Sequence, residues 1–310
     1  MKRRSFLASV PMAAAATALA QQSPAEPAAA APAAKPRFLF SVKSGMINDP
    51  AARTWEDKCR LLKDLGYDGV EMDSQYAVPA KECVAAIEKT GLPIQGIVNA
   101  NHWSIRMSDP DSEIRKKAVD QMLDGIRFCK AVGGSTVLLV PGAARDPEKE
   151  NAQHVWSRSI EGIRQCIPLA AELGIRIGIE TVWNKFLYKP DGGGDQSPDE
   201  MIKYLDEIDN TWVGAYIDLS NFRKYANIPN WLRALGTRVI KCDTKDYRMP
   251  GEGKKEGFCD IGDGDVDWAD TRKALAEINY YGWISSEVGG GDAKRLTDNL
   301  NRMRKYLLGA

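Results

Sequence analysis

Residues 175–180 read IRIGIE, 213–218 read VGAYID, 238–243 read RVIKCD and 283–288 read WISSEV. Each is a short apolar run rich in β-branched residues, and each carries an acid at or next to its far end. Runs of this length, bounded by polar or glycine-containing segments, read as buried strands. Toward the N-terminus the pattern recurs as FLFSV (38–42), GVEM (69–72), IQGIV (94–98) and TVLLV (136–140). Between these runs lie helical periods such as TWEDKCRLLKDLG (54–66), KECVAAIEKTG (81–91), DSEIRKKAVDQMLDGIRFCKAVGG (111–134), SIEGIRQCIPLAAELG (159–174) and WADTRKALAEIN (268–279). Gly66, Gly91, Gly133 and Gly174 close four of them, as a left-handed C-cap favours.

Eight strand–helix units over about 270 residues predict an α/β fold, a (β/α)8 TIM barrel with parallel strands. The competing architecture is an open doubly wound sheet, which usually places a glycine-rich turn after its first strand. None follows FLFSV. No linker-like composition interrupts residues 37–310, so they read as one catalytic domain.

In such a barrel, polar residues at the C-terminal ends of strands face the active site. That rule brings Glu180, Asp218, Asp243 and Glu287 from four consecutive strands to one rim. Four bare carboxylates held together repel one another, and a divalent cation resolves the conflict. Oxygen-only ligation favours Mn²⁺ or Mg²⁺ over softer ions. Further rim candidates for substrate contact are Asn221, Lys245, Arg248, Trp183, His102 and Glu71. Trp183 can equally pack against the barrel, Lys245 can pair with one of the acids, and a lone His102 can be structural. The glycine run Gly289–Gly291 could bring backbone amides to a phosphate, or be only a flexible loop.

The segments GIETVWNKF (178–186), AYIDLSNF (215–222), IKCDTKDYR (240–248), IGDGDVDW (261–268) and INYYGWISSEV (278–288) resemble the xylose isomerase-like TIM barrels, which include sugar-phosphate isomerases and ketose 3-epimerases. The resemblance spans the chain after residue 36 and is strongest from the fifth strand onward. It implies that Glu180 and Glu287 bind the metal and act as the acid/base pair, with Asp218 as a further ligand. It also implies a sugar substrate, epimerised or isomerised by proton transfer through an enediolate. Two positions depart from the family pattern. Asp243 stands where the epimerase branch carries a His, and Asn221 where many relatives carry a substrate-contacting His. These departures keep open a non-catalytic sugar-binding barrel, or a metal-dependent lyase or hydrolase of oxidised sugars. Abasic-site endonucleases of the same superfamily bind zinc through many histidines, whereas this chain has two.

The 42 basic residues balance the 42 acidic ones, which argues against a nucleic-acid or membrane-surface partner. The partner expected is a small sugar, and the oligomeric state stays open between monomer and homo-oligomer. Residues 1–20 have a signal architecture: Lys2, Arg3 and Arg4, then an apolar, alanine-rich stretch ending Ala18-Leu19-Ala20. The adjacent arginines resemble a twin-arginine export signal, which implies a periplasmic or otherwise exported enzyme. Export argues for a substrate without phosphate. Residues 21–36, QQSPAEPAAAAPAAKP, read as a disordered Pro/Ala linker. Six cysteines (Cys59, Cys83, Cys129, Cys166, Cys242 and Cys259) show no C-x-x-C pair, and several fall in helical apolar patterns as buried thiols would.

Overall fold

A computed structural model describes residues 38–251 and 253–309. The expected signal and linker, residues 1–36, lie outside the described residues.

Eight parallel strands close into a barrel in the order β1-β10-β7-β6-β5-β4-β3-β2. They are β1 (Phe38–Lys43), β2 (Gly69–Met72), β3 (Ile94–Val98), β4 (Thr136–Leu139), β5 (Arg176–Glu180), β6 (Val213–Asp218), β7 (Val239–Thr244) and β10 (Gly282–Ser286). The expected barrel is therefore present, with strand ends shifted by a residue or two. β1 and β7 each run one residue further than expected, to Lys43 and Thr244, while β10 stops at Ser286, so Glu287 follows its strand. The eight barrel helices are α1 (Trp55–Leu65), α2 (Ala80–Thr90), α3 (Ser112–Ala131), α4 (Ala152–Leu173), α5 (Asp199–Ile208), α6 (Ile228–Leu235), α7 (Trp268–Glu277) and α8 (Ala293–Met303).

Local chemistry sets the helix ends. Thr54 caps α1 in a reciprocal box with Asp57, each side chain accepting from the other's backbone N–H. Gly66, Gly91 and Gly174 take left-handed C-cap conformations after α1, α2 and α4. Gly133 is also left-handed, but it sits one residue beyond the α3 C-cap, Val132. Apolar helix faces pack on the outer faces of the strands and form one continuous core, in which Leu62, Ile126, Ile163, Leu232, Leu275 and Leu300 are buried. All six cysteines are free thiols, five of them buried. No helix among the described residues is long and apolar enough to cross a membrane.

The barrel lumen is polar rather than hydrocarbon. Ser41 on β1 and Ser285 on β10 share a hydrogen bond of 2.7 Å, and the Gln95 amide donates to both. One layer up, the Lys241 ammonium donates to Glu71 at 2.6 Å, both side chains being fully enclosed. Gly96 makes room for it, since a Cβ there would stand 2.6 Å from the Lys241 nitrogen. Gly178 does the same for the Tyr216 ring, at 2.8 Å.

One element has no counterpart among the strands and helices expected from the sequence. After β7 the chain turns back as an antiparallel hairpin, β8 (Asp246–Arg248) with β9 (Gly257–Cys259). It stands apart from the barrel sheet and carries Phe258 over the mouth.

Candidate active site

β5, β6 and β7 end on or beside Glu180, Asp218 and Asp243, and Glu287 follows β10. These strands are successive neighbours around the barrel, so the four acids form an arc. One carboxylate oxygen from each lies within 4.8 Å of the others. Glu180, Asp218 and Asp243 are buried, and Glu287 is half-buried.

Each acid has a different setting. Asp218 Oδ1 accepts from the backbone N–H groups of Ser220 and Asn221, at 2.8 and 2.7 Å, and from the Ser220 hydroxyl at 2.9 Å. Its Oδ2 accepts from Lys245 at 2.8 Å. Asp243 Oδ1 lies 2.7 Å from the Tyr216 hydroxyl, which is also 3.0 Å from Glu71 Oε2. That hydroxyl has one proton and serves one acid at a time. Burial, reinforced by both carboxylates, pushes the Tyr216 pKa far up, so the proton stays. Burial also raises Asp243 to about 7, against the pull of Lys43.

Glu180 and Glu287 are driven apart. Burial and the charge of Glu287 push Glu180 well above the usual carboxylate range. Burial would raise Glu287 too, but Lys43 and Lys245 hold it down at about 2. Lys245 forms a very short ion pair with Glu287, and Lys43 stands 3.5 Å from its other oxygen.

Glu180 and Glu287 open into a cavity of about 340 Å³ lined also by Lys43, Asp73, Val98, His102, Trp103, Leu138, Val182, Trp183, Asn221, Lys245 and Phe258, with Asp218 and Asp243 buried behind it. A cavity of similar size beside α6 has Arg223 and Asp265 in its wall but none of the four acids. Of the other residues singled out in the sequence, four line the acid-bearing cavity. Asn221 gives its side-chain N–H to the Thr181 carbonyl at 2.9 Å. Trp183 is half-exposed, donates its indole N–H to the Asn221 carbonyl, and packs against Tyr225, Tyr247 and Phe258 with centroids 5.3–5.8 Å apart. It therefore both packs and faces the cavity. His102 accepts the Val140 N–H at Nδ1, which places the proton of the neutral ring on Nε2. Burial lowers its pKa to about 3. Lys245 lines the cavity while pairing with two acids.

Two expected contacts lie elsewhere. Glu71 is fully enclosed one layer below the cavity, where Lys241 and Tyr216 satisfy it. Arg248 is on β8 and turns to the Asp263 carbonyl, at 2.8 Å from Nη2. Several cavity residues carry no direct sequence signal of their role, among them the charged Lys43 and Asp73 and the aromatic Phe258. The strand-end rule would have found Lys43 had the first strand been read one residue longer.

The donor set fits a hard divalent cation. All four groups are oxygen donors, they converge, and buried Asp243 Oδ2 accepts no hydrogen bond. The Lys43 ammonium stands 2.7 Å from that oxygen, an ion pair without hydrogen-bond geometry.

A family model described as xylose isomerase-like TIM barrel matches residues 59–306. L-ribulose-5-phosphate 3-epimerase UlaE of Salmonella paratyphi A is 24% identical over 271 residues, covering 83% of this chain and 90% of the relative. Among solved structures, the apo form of 3-keto-D-glucoside 4-epimerase YcjR from E. coli superposes with a TM-score of 0.69 at 18% identity, covering 87% of this chain and 99% of that one. The IOLI protein with a bound zinc atom gives 0.70 at 14% identity, covering 87% and 98%. The match over most of its length, on a closed eight-stranded parallel barrel, makes this chain a member of the xylose isomerase-like TIM barrel family.

Proposed function

We propose that the protein is a sugar epimerase or isomerase that moves a proton on a carbon beside the carbonyl of an unphosphorylated keto-sugar. The observation that carries this is the arc of acids: Glu180 and Glu287 stand at its two ends and both line the cavity. Its named relatives include sugar epimerases.

Glu180, Asp218, Asp243 and Glu287 would hold a divalent cation, Mn²⁺ or Mg²⁺. Such an ion supplies electrostatic stabilisation for the negative charge that builds on substrate oxygens as the C–H proton leaves. The remaining work falls to the chain. Substrate lying along the arc has a glutamate at either end, so one takes the proton and the other returns one. Return to the opposite face of the same carbon inverts it; return to the neighbouring carbon isomerises the sugar. Positioning matters more here than basicity, because both groups sit within reach of the reacting carbon. The Nε2–H of His102 and the Asn221 amide are placed to hold sugar oxygens, and Trp183 and Phe258 to cover the ring.

The cavity wall supports a substrate without phosphate. Among the described residues it contains no arginine, and its lysines, Lys43 and Lys245, are both paired with carboxylates. The export inferred from residues 1–20 points the same way and belongs to this proposal.

The test is proton exchange in deuterated water, with Mn²⁺-loaded protein and matched keto-sugars with and without a phosphate ester. Deuterium should enter the unphosphorylated sugars beside the carbonyl. Glu287→Gln should slow entry by roughly 10²–10⁴-fold with the fold intact. Sugar binding without exchange would establish the non-catalytic barrel instead, and elimination or hydrolysis products would establish the lyase or hydrolase.

A further inference from the structure

Lys43 is the last residue of β1 and pairs in register with Glu71 of β2. Its ammonium lies 2.7 Å from Asp243 Oδ2, 3.5 Å from Glu287 Oε1 and 3.6 Å from Glu71 Oε2. The side chain is 8% exposed and lines the cavity beside Glu180. Asp243 and Glu287 are two of the four acids whose oxygens converge. An ammonium therefore already sits against one edge of the acid cluster.

A divalent ion ligated by Asp243 and Glu287 would approach their oxygens to about 2.0–2.6 Å. It would then share Asp243 Oδ2 with the ammonium, and two cations at that separation in a buried site repel strongly. Lys43 has a second place to go. Its contact with Asp243 is not a directed hydrogen bond, and Glu71 lies within ion-pair distance on the side away from the cavity. Lys245, by comparison, is fixed by a directed bond to Asp218 at 2.8 Å as well as by Glu287.

We propose that Lys43 and a divalent cation are alternative counter-ions of the Asp243–Glu287 edge, so that the ion binds only as the ammonium withdraws toward Glu71. Lys43 then sets the metal affinity of the site and keeps the acids neutralised when no ion is bound. This rests on the reading of the four carboxylates as a metal site.

Lys43→Met keeps the stem and removes the charge. Calorimetric titration with Mn²⁺, alongside circular dichroism to establish folding, should show binding tighter by roughly tenfold or more than in the unaltered protein. If Lys43→Met does not fold, the double variant Lys43→Met/Glu71→Gln removes one charge of each sign and should show the same gain. Unchanged or weaker binding in a folded variant overturns the proposal while leaving the metal site standing. Binding by the variant alone supports the proposal and makes the unaltered protein independent of metal. No binding by any of the proteins overturns both.

Discussion

His102 is enclosed beside a cluster of charges, and its ring takes a backbone N–H at Nδ1. Folding therefore depresses its pKa to about 3, from the ordinary value of 6.5. A depressed base contributes stability that is fully present above pH 6.5 and drains away as pH falls toward 3. In that window the unfolded chain holds one more proton, so the loss is at most about 1.4 kcal/mol per pH unit. Comparing urea midpoints of the unaltered protein and His102→Gln between pH 7 and 4 isolates this from the carboxylates. The difference between them should shrink as pH falls, and a constant difference would place the proton elsewhere. The sequence showed His102 only as a lone histidine after a strand. Its environment depends on β4 delivering the Val140 N–H, a contact of thirty-eight residues' separation that no local pattern encodes. Glu180, Asp218 and Asp243 were legible because strand ends are local and the barrel rule does the rest. Glu71 obeyed the same pattern yet lies a layer too deep, since the rule says which end of a strand faces the site and not how far down a given side chain stops.

The β8–β9 hairpin shows the same limit for a whole element. Each strand has three residues, and nothing periodic marks them in the sequence. Their pairing of Asp246 with Cys259 and Arg248 with Gly257 exists only across a loop. Arg248 was read as a rim residue because it follows β7 closely, but membership of the hairpin turns it outward. Asp246 anchors the base instead, accepting from the Gly262 and Val266 backbone N–H groups and the Trp268 indole. The middle of β9 carries Phe258, opposite Tyr247 and 49% exposed, over Trp183 at 5.3 Å and over the Lys245 ammonium at 5.0 Å. An aromatic so placed contributes by covering bound sugar, an effect of about 1 kcal/mol. Phe258→Ala should raise KM about fivefold with kcat within about twofold, as measured by steady-state kinetics on the best sugar of the exchange panel. A collapse of kcat with unchanged KM would mean the hairpin acts on the proton transfer itself.

At the scale of the molecule, the barrel closes where β1 meets β10, in register from Phe38 opposite Gly282 to Val42 opposite Ser286. That pairing joins the first and last strands, and the acid cluster ends against it, with Glu287 on the β10 side and the Lys43 ammonium 3.5 Å away on the β1 side. The fold was legible at this scale because eight alternations of strand and helix leave few topologies open. The paired arginines near the N-terminus carry the corresponding expectation for location. Replacing Arg3 and Arg4 together by lysine should keep the protein in the cytoplasm of a bacterial host, read by cell fractionation. Unimpaired export would remove the twin-arginine reading and leave a general secretory signal.

The seam also sets an order of events during synthesis. Chains emerge from the ribosome N-terminus first, at about 5–20 residues per second. Lys43 is made first, and Glu287 follows only after the seven intervening strands of the barrel. The carboxylate arc is therefore incomplete until Glu287 has emerged, however much of the sheet has formed. Only a chain that already carries β10 and Glu287 can assemble it, so an ion captured at the mouth would report that the ring of strands had already shut.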